Sequence, residues 1–447
     1  MGQEISHSNF SRNDFELFSE HLREETALLK QWVNDGVFAE GEFQAGFELE
    51  AWLLDENFRP AARNEEFLAQ LSHPMAVPEL AQFNFELNGL HRDLKADVFT
   101  RMYNELYLTW DNCRKTAHSL GIEVAAIGTL PTALPEDFIL ANMSTMQRYR
   151  ALNEQVLRMR AGKPLHIEIL GQEDLVYDHP DVMMEAATTS FQIHLRMPPS
   201  KAVRLYNAGK ILAAPMTAIS ANSPFLFGRD LWAESRIPVF EQSVQVGQSD
   251  LTKRVSFGIR YAHDSIMEIF DSNLARYPIM LPRVMNEPPE SLAHLRLHNG
   301  TLWRWNRPLI GFDEDGSPHF RLEHRCVPAA PSLRDSIAQA AFFYGLVTEL
   351  ASLEVAPEHL LPFEKAKTNF YQCAQYGLDA SIDWPGQQNI PVRGLCSDIL
   401  LPMAELGLQR LGINDDEIFY WLSIIEGRLQ TGQNGAAWQR AWVGRHG

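Results

Sequence analysis

The sequence predicts an α+β fold built on a curved, mostly antiparallel sheet, flanked by helices and followed by a helical C-terminal region. Three observations point there. Four short stretches, 46–50, 83–88, 190–194 and 321–326, alternate apolar and polar residues with the period of two that a strand imposes. Strand-like and helix-like stretches follow one another in mixed order, which disfavours a strictly alternating parallel sheet. Beyond Pro331 the apolar spacing is mostly helical.

Taken in order, Ser11 and Asp14 stand at capping-box spacing before Phe15, Phe18, Leu22, Leu29 and Val33, with Gly36 as a stop, which predicts a first helix. Over 43–54, Phe43, Ala45, Phe47 and Leu49 alternate with Gln44, Gly46, Glu48 and Glu50, the pattern of a half-buried strand, and 82–88 repeats it. Phe99, Met102, Leu106 and Trp110 form one helical stripe within 94–120, and 122–127 is a short apolar strand. Pro131 and Pro135 then interrupt regular structure. A helix is predicted over about 145–161, a strand over 188–197 and a helix over about 200–220. A loop comes next at 222–228, marked by Asn222, Pro224 and Gly228.

Residues 300–312 and 318–327 flank the turn signal Asp313-Glu314-Asp315-Gly316 and read as a β-hairpin. Its register has two settings. In one, Arg307 faces Glu323; shifted by one residue, Arg307 points to the opposite side. Helices are predicted over 332–354, 397–412, 415–430 and 433–443, around a Pro- and Gly-marked segment at 384–394. The whole chain, 1–447, reads as one domain, with a sheet-forming core over about 37–330 and a helical layer over about 331–447.

The formal net charge of −18, with no run of Lys or Arg, argues against a nucleic-acid surface. The four cysteines, Cys113, Cys326, Cys373 and Cys396, form no Cys-x-x-Cys pair and suit a reducing compartment as passive core residues. Residues 1–14 are polar, and no run of about eighteen apolar residues occurs, so the expectation is a cytoplasmic protein without a membrane span. The opening residues 1–6 match a loose myristoylation pattern that no basic cluster supports. A Gly-rich phosphate loop, His-Glu-x-x-His and Gly-x-Ser-x-Gly are all absent.

Strand periodicity puts Glu48 and Glu50 on one face, and does the same for Asn84, Glu86 and Asn88, for Gln192 and His194, and for Arg321, Glu323 and Arg325. Carboxylates hold hard cations and guanidiniums grip phosphate oxygens, so a concave sheet lined this way suits a metal-bridged polyphosphate such as ATP. Any one stretch alone could be a solvated face. The four together contain no lysine, which a solvated face would carry.

Several ordered pieces carry a resemblance. They are 46–50, the Glu86 strand, 188–194, Gly300-Thr301-Leu302-Trp303-Arg304-Trp305-Asn306-Arg307-Pro308, the 321–325 strand and the stretch 369–380. The sequence resembles the glutamate–cysteine ligases and related carboxylate-amine ligases of the glutamine synthetase/guanido kinase fold. The resemblance implies one catalytic domain and metal ligation of Mg²⁺ or Mn²⁺ by Glu48, Glu50, Glu79, Glu86, His194 and Glu323. It further implies Arg325 and Arg307 as catalytic contacts to phosphate, Arg321 beside them in binding ATP, and Gln192, Asn222 and Trp303 near substrate. The implied reaction joins a small amino-acid carboxylate, glutamate by default, to cysteine or another small amine through an acyl phosphate made from ATP. Partners would be these small molecules, with no nucleic acid and no membrane; a homo-oligomer is compatible.

Other readings stand beside these. Glu79 could cap a turn after Pro78, Trp303 and Asn222 could be packing residues, His194 a core histidine, and Glu323 the centre of an ion-pair cluster. A guanidino-type kinase would share the fold, although no cysteine lies in a loop like the one such kinases use. A non-catalytic binding protein would not need to keep the acids, His194, Arg307 and Arg325.

Overall fold

Strand β1 (Gln44–Leu54) is the spine of the molecule. The computed structural model describes residues 10–38, 40–247, 249 and 252–446, so the opening stretch 1–6 lies outside the described residues. Strands and helices are numbered in chain order. Around β1, β2 (Ala76–Pro78), β3 (Asn84–Asn88), β4 (Arg92–Asp93), β5 (Glu123–Ala125), β8 (Phe191–Met197), β11 (Asn306–Phe312) and β12 (Pro318–His324) complete an eight-stranded sheet. Its order is β11-β12-β8-β1-β3-β2, with β4 and β5 paired to the ends of β1, and each pairing is antiparallel. The predicted 43–54 strand, the 82–88 strand and the 318–327 arm thus belong to one sheet.

Alternation decides what each face does. Phe47, Leu49, Phe85, Leu87, Phe191, Ile193, Leu195 and Leu322 point to one side and are buried. Burying each removes roughly 1.5–3 kcal/mol worth of apolar surface from water. Helices α3 (Val98–Ser119), α5 (Ala202–Ser220) and α9 (Leu333–Ser352) pack in this core. Both α5 and α9 are apolar on nearly every side, which only a buried helix tolerates. Tyr344 of α9 fastens helix to sheet, its hydroxyl lying 3.0 Å from the Gly46 carbonyl and 2.9 Å from that of His194. Phe99 of α3 stacks on its ring.

The first helix, α1 (Arg12–Asn34), begins with the predicted capping box, in which the Ser11 hydroxyl accepts from the Asp14 N–H. Its buried Glu25 accepts from His294 Nδ1 and from the Leu295 N–H, which docks it on α8 (Ala293–Gly300). Between them come α2 (Asn64–Leu71), α4 (Gln147–Met159), α6 (Arg236–Ser243) and α7 (Met267–Arg276). After α9 come α10 (Pro357–Leu360), α11 (Phe363–Tyr376), α12 (Val392–Leu395), α13 (Leu401–Arg410), α14 (Asp415–Thr431) and α15 (Gly435–His446).

Among the described residues, three two-stranded hairpins lie off the main sheet. The segment 222–228, expected to be a loop, contains β9 (Phe225–Leu226), which pairs with β10 (Arg229–Asp230). The segment 384–394 runs from the end of β13 (Ser381–Trp384) through β14 (Gln387–Pro391) into α12, so the C-terminal region is helical apart from this hairpin. The hairpin β6 (Leu165–Leu170) and β7 (Asp174–His179) was not predicted, nor were α7, α8 and α11. The four cysteines are buried, as expected of core residues. Among the described residues, no helix is long and apolar enough to cross a membrane.

Candidate active site

Register turns four isolated polar faces into one surface. Glu48 sits opposite Gln192 of β8 and Asn88 of β3, Glu50 opposite Glu86, His194 opposite Glu323, and Glu323 opposite Arg307. Of the two hairpin settings, the molecule adopts the one that pairs Arg307 with Glu323. Arg307 meets it with two parallel hydrogen bonds, Nε to Oε2 at 2.7 Å and Nη2 to Oε1 at 2.9 Å. Arg325 approaches the same carboxylate at 3.4 Å, donates to Gln192 Oε1 and lies over the Phe240 ring of α6.

The acids divide into two triads. In the first, His194 Nε2 lies 3.6 Å from Glu48 Oε1 and 3.7 Å from Glu323 Oε1. In the second, Glu50, Glu79 and Glu86 each offer an oxygen within 4.8 Å of the others. Glu79 arrives there because β2 pairs with β3, placing Val77 beside Glu86 and carrying the chain past Pro78 into the cavity. Supporting donors orient the set: Ser190 N–H at 2.6 Å and Gln192 Nε2 at 2.9 Å reach Glu50, and Asn88 Nδ2 at 2.9 Å reaches Glu86.

Electrostatics separates the groups. Burial, then repulsion from Glu48 and Glu79, holds Glu86 well above the usual carboxylate range. Burial and Glu79 push Glu50 up to about 7. Glu323 goes the other way, because Arg307 and Arg325 together outweigh its burial. His194 is lowered, since burial outweighs the pull of Glu48 and Glu323. Clustered carboxylates that resist ionisation when bare are the arrangement a bound cation relieves. His194 Nε2 is buried without a hydrogen-bond partner. Oxygen donors with one imidazole, and oxygen donors alone, both fit a hard divalent cation such as Mg²⁺ or Mn²⁺.

These side chains border a cavity of about 280 Å³. Glu48, Glu50, Glu79, Glu86, Gln192, Trp303, Arg307, Arg321, Glu323 and Arg325 all line it, while His194 is absent from the lining and stands beside Glu48 and Glu323 in the first triad. The Arg321 side chain makes no hydrogen bond or ion pair to a described residue, and its Nε is buried without a partner. Asn222 is the exception among the sequence candidates. Its Nδ2 donates to the Ala329 carbonyl and its Oδ1 accepts from Gln439, so it ties α15 to the chain after β12 and is absent from the cavity lining.

Four titratable lining residues were missed: Arg148 and Tyr149 of α4, Glu185, and Arg296 of α8. Glu185 stands in the 3₁₀ segment Val182–Ala187, where burial, then Glu79 and Glu50, push it up to about 8. A single charge inside the apolar run Val182-Met183-Met184-Glu185-Ala186-Ala187 was the available signal.

A model of the family described as glutamate-cysteine ligase family 2 matches residues 44–446. The chain belongs to that family. Membership makes this protein a carboxylate-amine ligase. A putative glutamate–cysteine ligase 2 from Trichormus variabilis is 27% identical over 376 residues, covering 81% of this chain and 80% of its own. Among solved structures, the glutamate–cysteine ligase of Francisella tularensis in complex with AMP shares the fold with a TM-score of 0.61 at 10% identity, over 92% of this chain and 86% of that one. A bifunctional glutathione synthetase from Pasteurella multocida gives a TM-score of 0.52 at 11% identity, over 92% of this chain and 51% of that one. The antiparallel sheet and its flanking helices are therefore a fold shared with these two solved structures.

Proposed function

We propose that this family 2 ligase uses ATP to activate the carboxylate of a small amino acid, glutamate first among candidates, and transfers the acyl group to cysteine or another small amine. One observation carries the reading: two triads of potential metal ligands, five carboxylates and one imidazole, and three arginines gather around a single cavity from six strands or their ends. Amide formation in water needs an activated acyl group. A carboxylate oxygen attacks the γ-phosphorus of ATP and ADP departs; the amine nitrogen, once its ammonium has given up a proton, attacks the acyl carbon, expels phosphate and loses a second proton, the protons passing to phosphate and water. The barrier lies in bringing anions together, so catalysis is chiefly positioning and charge neutralisation.

Glu48, His194 and Glu323 would hold one divalent cation and Glu50, Glu79 and Glu86 a second, supplying positive charge to the carboxylates and phosphate oxygens. Arg307, braced by Glu323, and Arg325, braced by Gln192, present guanidiniums whose direction is set before substrate arrives. Arg321, without a protein partner, is the arginine best able to take a phosphate fork. Trp303 and Gln192 shape the wall beside them.

The test is to trap the intermediate. Glutamate, ATP and Mg²⁺ with hydroxylamine should yield a hydroxamate, and a panel of small amines should raise ADP release together with an amide of the expected mass. Absence of both products from metal-loaded, folded protein across carboxylate and amine pairs would refute the reading and favour a binding protein of the same fold.

A further inference from the structure

The carboxylate of Glu185 lines the cavity near Glu50 and Glu79 but belongs to neither triad. It makes no hydrogen bond or ion pair to a described residue. Its position is nonetheless fixed. The Asp181 side chain accepts the Met183 N–H at 2.9 Å and caps the 3₁₀ segment, and is itself held 2.9 Å from His179 Nε2. Thr188 donates to the Glu185 carbonyl from its N–H at 3.1 Å and its hydroxyl at 2.8 Å. Met183, Met184, Ala186 and Ala187 on either side are buried. A rigid backbone therefore presents one carboxylate, unclaimed by the fold, to the reaction chamber.

Set half-buried in the cavity wall among Glu79, Glu50 and Arg325, the Glu185 carboxylate is best complemented by a cationic ligand. ATP and the acyl phosphate are anions. The incoming amine is protonated at neutral pH and brings positive charge, and it must reach the acyl carbon beside the metal ligands, which is where Glu185 stands. The α-ammonium of a glutamate substrate is the other organic cation, but it lies a side chain's length from its reacting carboxylate. We propose that Glu185 seats the ammonium of the amine substrate. This rests on the ligase reading above.

The experiment compares two nucleophiles in wild type and Glu185→Gln, an isosteric change that removes the charge. With glutamate, ATP and Mg²⁺, hydroxylamine is uncharged at neutral pH, whereas glycine, alanine, cysteine and 2-aminobutyrate arrive as ammonium ions. For whichever of these the wild type couples best, E185Q should raise the ratio of hydroxamate to amide formation by about tenfold or more, mainly through KM for the amine. A structural defect lowers both rates together and leaves the ratio unmoved, which overturns the proposal. A rise in KM for glutamate in the hydroxylamine reaction assigns Glu185 to glutamate's own ammonium, and a raised Mg²⁺ requirement with KM for the amine unchanged assigns it to metal; either overturns it. Hydroxamate without amide from any amine also does so. If wild type makes neither product, the ligase reading has failed and the proposal falls with it.

Discussion

Replacing Glu323 by Gln tests whether the hairpin register matters energetically. The Glu323 side chain is 2% exposed and that of Arg307 10%, so their two hydrogen bonds are shielded from solvent. Removing one partner of such a buried pair costs roughly 3–5 kcal/mol, because the other charge is left uncompensated. Gln keeps one acceptor oxygen, which puts the expectation near 3 kcal/mol. For a chain of 447 residues, unfolding entropy per residue converts this to a Tm fall of about 3 °C. The assay is urea and thermal unfolding in chelator, with Arg307→Met and the double variant completing a cycle. The double variant should recover about 2 kcal/mol of the summed losses, since neither charge is then stranded. Glu323 is held below the ordinary carboxylate range, so its contribution is present above the unfolded pKa and is lost only as pH falls through the lower folded value. The gap between wild type and E323Q should therefore persist at about pH 6. An E323Q protein within about 0.5 kcal/mol of wild type would show that the pair is screened by solvent and refute the reasoning.

Glu48→Gln should abolish metal-dependent ATP turnover while leaving the circular dichroism spectrum intact; normal turnover in the folded variant removes Glu48 from the site. Arg325→Lys keeps the charge but loses the planar fork, so activity should fall by about tenfold to a hundredfold with little change in the unfolding midpoint; survival of both ATP affinity and rate would leave Arg325 only as a partner of Glu323 and Gln192. Lys210 of α5 is buried with Nζ 2.6 Å from the Phe257 carbonyl, and burial lowers it to about 7. The unfolded chain then binds more protons above that value, so wild-type stability should rise with pH between about 7 and 10 relative to Lys210→Met, and parallel urea midpoints at the two ends would contradict it.

Each strand's polar face was legible locally, because side-chain alternation needs only neighbouring residues: Glu48 with Glu50, Glu86 with its asparagines, Gln192 with His194, Arg321 with Glu323 and Arg325. The capping box of α1 and the apolar stripe of α3 were legible for the same reason. The surroundings of Asn222 were not legible, since an amide in a loop near a strand looks the same whether it faces a cavity or, as here, bonds to Ala329 and Gln439. Glu185, Arg148, Tyr149 and Arg296 went unseen because they enter from a 3₁₀ segment and two helices, whose side-chain directions depend on distant packing. The hairpin β6–β7 did carry an alternating pattern, Leu165, Ile167 and Ile169 against His166 and Glu168, that periodicity alone could have found.

Local order along the chain is enough to say which residue types share a strand face and, through the succession of those faces, which family the chain resembles. How the faces align is a property of the assembled sheet. Pairing across β11-β12-β8-β1-β3-β2 sends Glu48 to His194 and Glu323, and Glu50 to Glu86 and Glu79, and it sets Arg307 on Glu323. The reason is that a shift of one residue in any pairing reverses every side chain of that strand, and what forbids the shift is the burial of Phe47, Leu49, Phe191, Ile193 and Leu322 on the far side of the sheet.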